Sequence, residues 1–410
     1  MNTLTRRSAL ALLGSPLLTQ GARADTPVIR IAINLPLTGG EAQSAGLIKD
    51  GALMAIDDVN ARGGAGGFRL EPLLMDDGTA TSAGYDPAQA ATNARRMVTD
   101  PQVLAAIGPM NSGSGKAMSP ILSQASLAII TPSSTNPDIT NPSFAAVYRP
   151  AGPAIYFRTV TTDAFQGPNM ANFYVDVLKV ANVFVLDDSG AYGVGLADAF
   201  QQQAEKRGLK VLGRDRLDPL AADYSPVLTK IKSLNAAALY FGGNPQAGVK
   251  VVKQSYDIVP QIPKGGGDGV YEPDMLSGGG FPAIEGWYAT IAAPHDLASP
   301  AAEQWVKRFA DRFGQQPQDY SLTAYDGVLV IADAIGRTAK GGVMPTRAAL
   351  RAAIEATSLE TLQGKVEFDP NGDLKSHIVS VFQVHHDPAY PVADMLHQWR
   401  YIGVAPEANA

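Results

Sequence analysis

A chain of 410 residues, 45% of them hydrophobic, has ample length to bury the core on which a protein without covalent staples depends. Its formal charge of −6 becomes −9 once the first 24 residues, with three arginines and no acid, are set aside, which excludes nucleic acid and anionic lipid as natural partners. Cysteine is absent, so disulfides, thiolate metal sites and cysteine nucleophiles are excluded as well.

Residues 1–24 read as an export signal: a basic start at Arg6-Arg7, an apolar stretch Ala9–Leu18 interrupted by Gly14 and Pro16, and a small-x-small cleavage site at Ala22-Arg23-Ala24. The stretch is too short to span a bilayer. Thr5-Arg6-Arg7-Ser8-Ala9-Leu10 resembles a twin-arginine signal, with Ala9 where a larger apolar residue is usual, and the unfolded export route stays open beside it. With no lipid-anchoring cysteine after the signal, the expected address is the periplasm.

Beyond the signal, short β-branched runs alternate with helical patterns, which predicts parallel sheets covered by helices on both faces. In chain order the readings are a strand Val28–Asn34, a helix Leu47–Asn60 ending at the Gly63–Gly67 turn, a strand Leu70–Met75, a helix Pro87–Thr99, a strand Val103–Ile107, a helix Gly115–Gln124 and a strand Leu127–Ile130. Tyr148–Pro153 reads as a surface loop. A second series starts at Pro168, where Met170, Phe173, Tyr174, Val177 and Leu178 share a helical face. It continues with strand Val183–Leu186, helix Ala197–Lys206, extended Lys210–Leu212, helix Tyr224–Leu234, strand Ala237–Phe241 and helix Gln246–Ser255. The last third gives helices Ala301–Phe313 and Leu322–Thr338 and an extended run His377–Val384. Two α/β lobes of similar size fit this length better than one very wide sheet.

Few residues suggest chemistry on their own. Ile107–Pro120, IGPMNSGSGKAMSP, invites a phosphate-loop reading, but the first glycine of that pattern is replaced by Met110 and the metal-holding hydroxyl by Ala117. There is no G-x-S-x-G elbow, and the adjacent pair His385-His386 would point to opposite faces of a strand, with no partner motif for a metal. The carboxylate pairs Asp57-Asp58, Asp76-Asp77 and Asp187-Asp188 read as charges on helix surfaces and strand ends.

Several phrases read in order resemble the branched-chain amino-acid (leucine/isoleucine/valine-type) binding proteins, the periplasmic receptors of ABC importers. They are Pro36-Leu37-Thr38-Gly39, Thr131-Pro132-Ser133-Ser134-Thr135-Asn136-Pro137, Phe157-Arg158-Thr159 with Asp163 and Gln166-Gly167, Asp187–Gly193 leading into Gly195-Leu196-Ala197, Tyr240–Gly243, and Gly266–Tyr271. The resemblance implies a type I periplasmic binding fold: two doubly wound α/β lobes joined by three crossovers, near Arg158–Thr161, Ala292–Pro294 and Ser380–Gln383. One lobe would combine residues 27–158 with 294–380, the other 159–293 with 381–402, leaving 403–410 as a tail.

The same resemblance assigns the Asn111–Ser114 turn to the cleft, where backbone N–H groups and the positive end of a helix suit a ligand carboxylate, with Ser112 as its hydroxyl donor. It places Ser133, Ser134 and Thr135 on a second cleft loop, Asp268 opposite an α-ammonium, and Tyr192 over the ligand. A helix-capping turn at Ser112 and a turn cap at Asp268 are the plain structural alternatives. Ser44 and Asn244 stand where the family commonly has aromatics, so the pocket is expected to be roomier or more polar than one built for leucine. Asn111 replaces a frequent cysteine. The implied role is capture of an amino acid or similar small carboxylate and delivery to an ABC permease with its ATPases, by a monomer with no cofactor, no metal and no catalysis. A ligand sensor of the same fold, like the amide receptors, is the alternative.

Overall fold

The computed structural model describes residues 26–79 and 84–408, and the expected export signal lies outside them. Five parallel strands, β1 (Val28–Leu35), β2 (Arg69–Asp76), β3 (Val103–Ile107), β4 (Ala128–Thr131) and β5 (Tyr156–Arg158), form one sheet in the order β2-β1-β3-β4-β5. A second sheet has the order β14-β13-β10-β9-β8-β6-β7. Its parallel part is β6 (Asn182–Asp187), β7 (Lys210–Arg216), β8 (Leu239–Gly242), β9 (Lys264–Gly266) and β10 (Tyr288–Ile291). A hairpin, β11 (Ser358–Thr361) with β12 (Gly364–Glu367), stands apart, and β13 (Ser380–Val384) and β14 (Trp399–Val404) extend the second sheet antiparallel.

The two-residue period of a strand explains the layering. In β1, Ile29, Ile31, Ile33 and Leu35 pack in one core with the helices Ala42–Ala61 and Asp319–Thr338, while Ala32 belongs to the opposite core with Ala90, Ala94, Met97, Met118 and Leu122 of Pro87–Thr99 and Ser112–Gln124. Each of those buried isoleucine, leucine and methionine side chains contributes about 1.5–3 kcal/mol, and each alanine less. In the second sheet, Val183 and Val185 face a core with Tyr174 and Phe200, where Phe200 stacks on Tyr240 at 3.7 Å, and Phe184, Leu186, Leu239 and Phe241 face the other side.

The segments that pass between the sheets run side by side: the Thr161 N–H donates to the Ala292 carbonyl at 2.8 Å, and the Ser380 hydroxyl donates to the Ala293 carbonyl at 2.9 Å. Beside them Arg158, fully buried, donates to the carbonyls of Ser134 and Asn136, to the Thr140 hydroxyl and to the Asp373 carboxylate.

Several sequence readings change. The helices begin earlier than expected, at Ala42, Ser112, Asp163 and Ala191, because their first turns are polar or glycine-rich and carry no apolar periodicity. The helix expected to run through Val177 stops at Asp176, leaving Val177 at the C-cap and 51% exposed, whereas Met170, Phe173 and Tyr174 are buried. The helices Pro273–Gly279 and Arg347–Glu355, the hairpin and β14 were not expected. Beyond β14 the chain stays packed: the Asn172 amide donates to the carbonyls of Pro406 and Glu407. No helix among the described residues is long and apolar enough to cross a membrane.

Candidate functional site

The turn after β3 leads into the helix Ser112–Gln124 with Gly108 at φ +109°, where a Cβ would lie 2.2 Å from the Asn34 carbonyl oxygen, so only glycine fits. The first N–H groups of that helix have no intrahelical acceptor. The N-cap Asn111 does not serve them with its side chain, because its amide donates instead to Glu41 Oε2 at 2.7 Å. Ser112 Oγ accepts from the Asn136 N–H and from Ser134 Oγ, both at 3.2 Å. A hydroxyl has two acceptor sites and one proton, so that proton is left for an acceptor in the cleft. Lys116 points elsewhere, pairing with Asp138 at 2.8 Å.

The β4–β5 loop is organised by Thr131, whose hydroxyl accepts from the N–H groups of Ser133 and Ser134 and donates to the Pro109 carbonyl at 2.7 Å. From the other sheet, the loop after β9 presents Asp268, 5% exposed. Its Oδ1 accepts from the Tyr192 hydroxyl, its Oδ2 from the Tyr320 hydroxyl at 2.6 Å, and its N–H donates to Gln166 Oε1 at 2.9 Å. Burial raises the Asp268 carboxyl above its usual range, against the lowering effect of the two phenols and Gln166.

Ser112, Ser133, Tyr192, Asn244 and Asp268 line one small cavity with Met110, Asn111, Gly269, Glu272 and Tyr320. Its volume is only about 20 Å³. Three residues expected at the ligand stand behind this lining. Ser134 supports Ser112, and Thr135 is fully buried beside the Asp163 carboxyl, although neither group completes a well-formed hydrogen bond there. Ser44 is buried against Gln318, whose amide donates to its hydroxyl at 2.8 Å, and its N–H donates to Asp274 at 3.0 Å. A larger depression of about 750 Å³ is lined by Lys116, Asp138, Asp198 and Lys206 but contains neither Ser112 nor Asp268, so size alone does not mark the site.

A profile of periplasmic binding proteins matches residues 28–388. The chain belongs to the periplasmic binding protein family. Within it, the relatives are receptors of the branched-chain amino-acid ABC group. The leucine-, isoleucine-, valine-, threonine- and alanine-binding protein of Pseudomonas aeruginosa is 32% identical over 371 residues, covering 89% of this chain and 91% of that one. The leucine-specific-binding protein of Salmonella typhimurium is 28% identical, covering 92% and 95%. Among solved structures, a leucine-binding protein of Thermotoga maritima matches with a TM-score of 0.78 and 26% identity, covering 92% of this chain and 98% of that one. The isoleucine complex of a branched-chain amino-acid transporter substrate-binding protein from Streptococcus pneumoniae shares the fold, with a TM-score of 0.76 at 20% identity, covering 93% and 100%. The fold is therefore the type I periplasmic binding fold, and the role of this family of extracytoplasmic receptors is solute binding rather than catalysis.

The cleft of this binding protein is more acidic than its sequence suggested. Asp57 and Asp58 lie on a helix surface as read, pairing with Arg312 and Arg308. Asp76 and Asp187 end β2 and β6, also as read, but Asp77, Asp187 and Asp188 are buried, at 0%, 0% and 5% exposure. Burial pushes Asp77 and Asp188 up to about 6 and Glu41 up to about 8. Glu41 lies behind Asn111, and burial and the neighbouring acids Glu41, Asp274 and Asp268 raise the Glu272 carboxyl well above its usual range.

Sequence reasoning missed Tyr320 and Glu272. Tyr320 lies in the first turn of Asp319–Thr338, before the position where apolar periodicity begins, so a helix read from Leu322 leaves it out. Glu272 follows Asp268 by four residues and precedes Pro273, which alone reads as a helix start.

Proposed function

We propose that this protein is the extracytoplasmic solute-binding component of an ABC importer, capturing an amino acid or related small carboxylate between its lobes and delivering it to a membrane permease with its ATPases. The observation that carries the reading is the pairing of unlike groups across one cavity: the Ser112 hydroxyl with its unused proton beside a helix N-terminus on one side, and the Asp268 carboxylate on the other. Such a pair suits the two ends of a zwitterion. The bonds from the Asn136 amide to the Ala191 carbonyl, 2.7 Å, and from the Ser44 N–H to Asp274 cross the same cleft and support closure of one lobe, 27–158 with 294–380, on the other, 159–293 with 381–402.

Thermal-shift titration of refolded, ligand-free protein with free amino acids tests this. A ligand at a hundredfold excess over its Kd stabilises the native state by about 2.7 kcal/mol, a readily measured rise in Tm. Chemical turnover of a bound compound, or no stabilisation by any amino acid or small carboxylate, would defeat the reading.

A further inference from the structure

On the capture reading just proposed, the Ser112 and Asp268 ends account for the α-carboxylate and α-ammonium of a ligand, and its side chain must meet the remaining wall. That wall mixes Met110, Gly269 and the faces of the two tyrosines with the polar side chains of Asn111, Ser133, Asn244 and Glu272. Glu272 is 6% exposed and its Oε2 has no hydrogen-bond partner. Asn111, 5% exposed, has an unpartnered Oδ1 as well, its amide being turned to Glu41. A neighbouring space of about 190 Å³ shares Asn244 and is lined by Glu41 and Asp188. Among the described residues, no lysine, arginine or histidine lines either space.

An unpaired carboxylate is costly to enclose, and so is an aliphatic chain placed against it, because the chain removes water without returning a hydrogen bond. A second cation or strong donor does the reverse: it pairs Glu272 and relieves the mutual repulsion of the acids around it. Asn111 Oδ1 can accept from the same group. We infer that Glu272, with Glu41 and Asn111, forms a second acidic subsite that selects amino acids whose side chain ends in a cationic group, such as lysine, ornithine or arginine, over aliphatic ones.

The test compares L-lysine with L-norleucine, which has a side chain of nearly the same length without the terminal ammonium, by calorimetry on the full chain. The wild type is expected to bind L-lysine at least about tenfold more tightly. Glu272→Gln, close in shape and free of the buried charge, should reduce that preference below about threefold by weakening L-lysine alone, and Glu41→Gln serves as a second variant should the first fail to fold. Equal or tighter binding of L-norleucine by the wild type overturns the inference while leaving the capture reading intact. So does a lysine preference that survives both substitutions. If neither amino acid binds, this inference fails, and the capture reading fails with it only where the thermal-shift titration also finds no other amino acid or small carboxylate that stabilises the protein; an Asp268→Asn variant that leaves both affinities unchanged removes the α-ammonium assignment on which this inference rests.

Discussion

Asp268→Asn separates recognition of an α-ammonium from the general integrity of the cleft. In the wild type both carboxylate oxygens are engaged by phenols, from Tyr192 and Tyr320, and the backbone N–H is held by Gln166. Asparagine keeps the shape and one acceptor oxygen, so one phenol retains its partner and the other faces an amide N–H₂. Losing that buried bond costs about 1–3 kcal/mol of ligand-free stability, offset in part by removal of a charge that burial disfavours. An ammonium ligand loses more: a charge-assisted bond contributes about 1.5–3 kcal/mol, so its Kd should rise about 10- to 150-fold. A ligand without the α-ammonium should change by no more than about threefold. Calorimetry of L-lysine against 6-aminohexanoate, and of L-leucine against 4-methylpentanoate, makes the comparison with the side chain held constant. Equal losses within each pair would refute the assignment of Asp268 to the ammonium, because a merely distorted cleft weakens both compounds alike.

Ligand-free stability should fall as pH rises from 5 to 8. Asp77, Asp188 and Asp274 are pushed up to about 6 and Glu41 to about 8, all chiefly by burial, so over this window the folded form holds protons that the unfolded chain has released. Asp58 and Asp100, lowered by partners that include Arg308 and Arg30, are fully ionised in both states there and add no opposing slope; a Tm higher at pH 8 than at pH 5 would contradict the burial of those acids. Arg158→Ala strands the Asp373 carboxylate and the carbonyls of Ser134 and Asn136, and should cost about 3–5 kcal/mol in denaturant unfolding; a loss below about 1 kcal/mol would show that the network carries no stability. Ser112→Ala removes the acceptor of the Asn136 N–H and Ser134 hydroxyl as well as a ligand donor, so it should lower both apo stability, by about 1–3 kcal/mol, and carboxylate affinity, with Ser112→Thr preserving more of each.

What could be read from residues alone was what local chemistry determines. The helix Pro87–Thr99 was placed to the residue because Asp86 accepts from the Ala88 and Gln89 N–H groups and proline occupies the first helical position, both local signals. The helix at Ser112 was begun three residues late because Ser-Gly-Ser carries no periodicity, although those residues matter most to the cleft. Resemblance supplied Ser112, Ser133, Tyr192, Asn244 and Asp268, which the structure brings to one cavity, and also Ser134, Thr135 and Ser44, which it places behind the wall. Burial of Asp77 and Asp188 was illegible for a physical reason: adjacent acids at a strand end look the same in sequence whether solvent or another layer lies beyond them.

That burial bears on how the proposed receptor would stay open without its ligand. Glu41 lies on the side of the first sheet, and Glu272, Asp274 and Asp268 on the side of the second, and closure brings these acids together where burial and mutual repulsion disfavour their ionised forms. The hydrogen bonds Asn136–Ala191, Tyr271–Asp319, Tyr320–Asp268 and Ser44–Asp274 oppose that cost. The Tyr320–Asp268 and Ser44–Asp274 bonds each contribute about 1.5–3 kcal/mol at most, and each uses an acceptor that water would otherwise satisfy in an open cleft. A bound cation changes the sign of the balance, because it attracts acids from both sides at once and returns their carboxyls to the ionised form. On the proposed selection of a cationic guest, closure would follow from its charge more than from its bulk, and a ligand of the same size without the cation would be enclosed less tightly even where it fits.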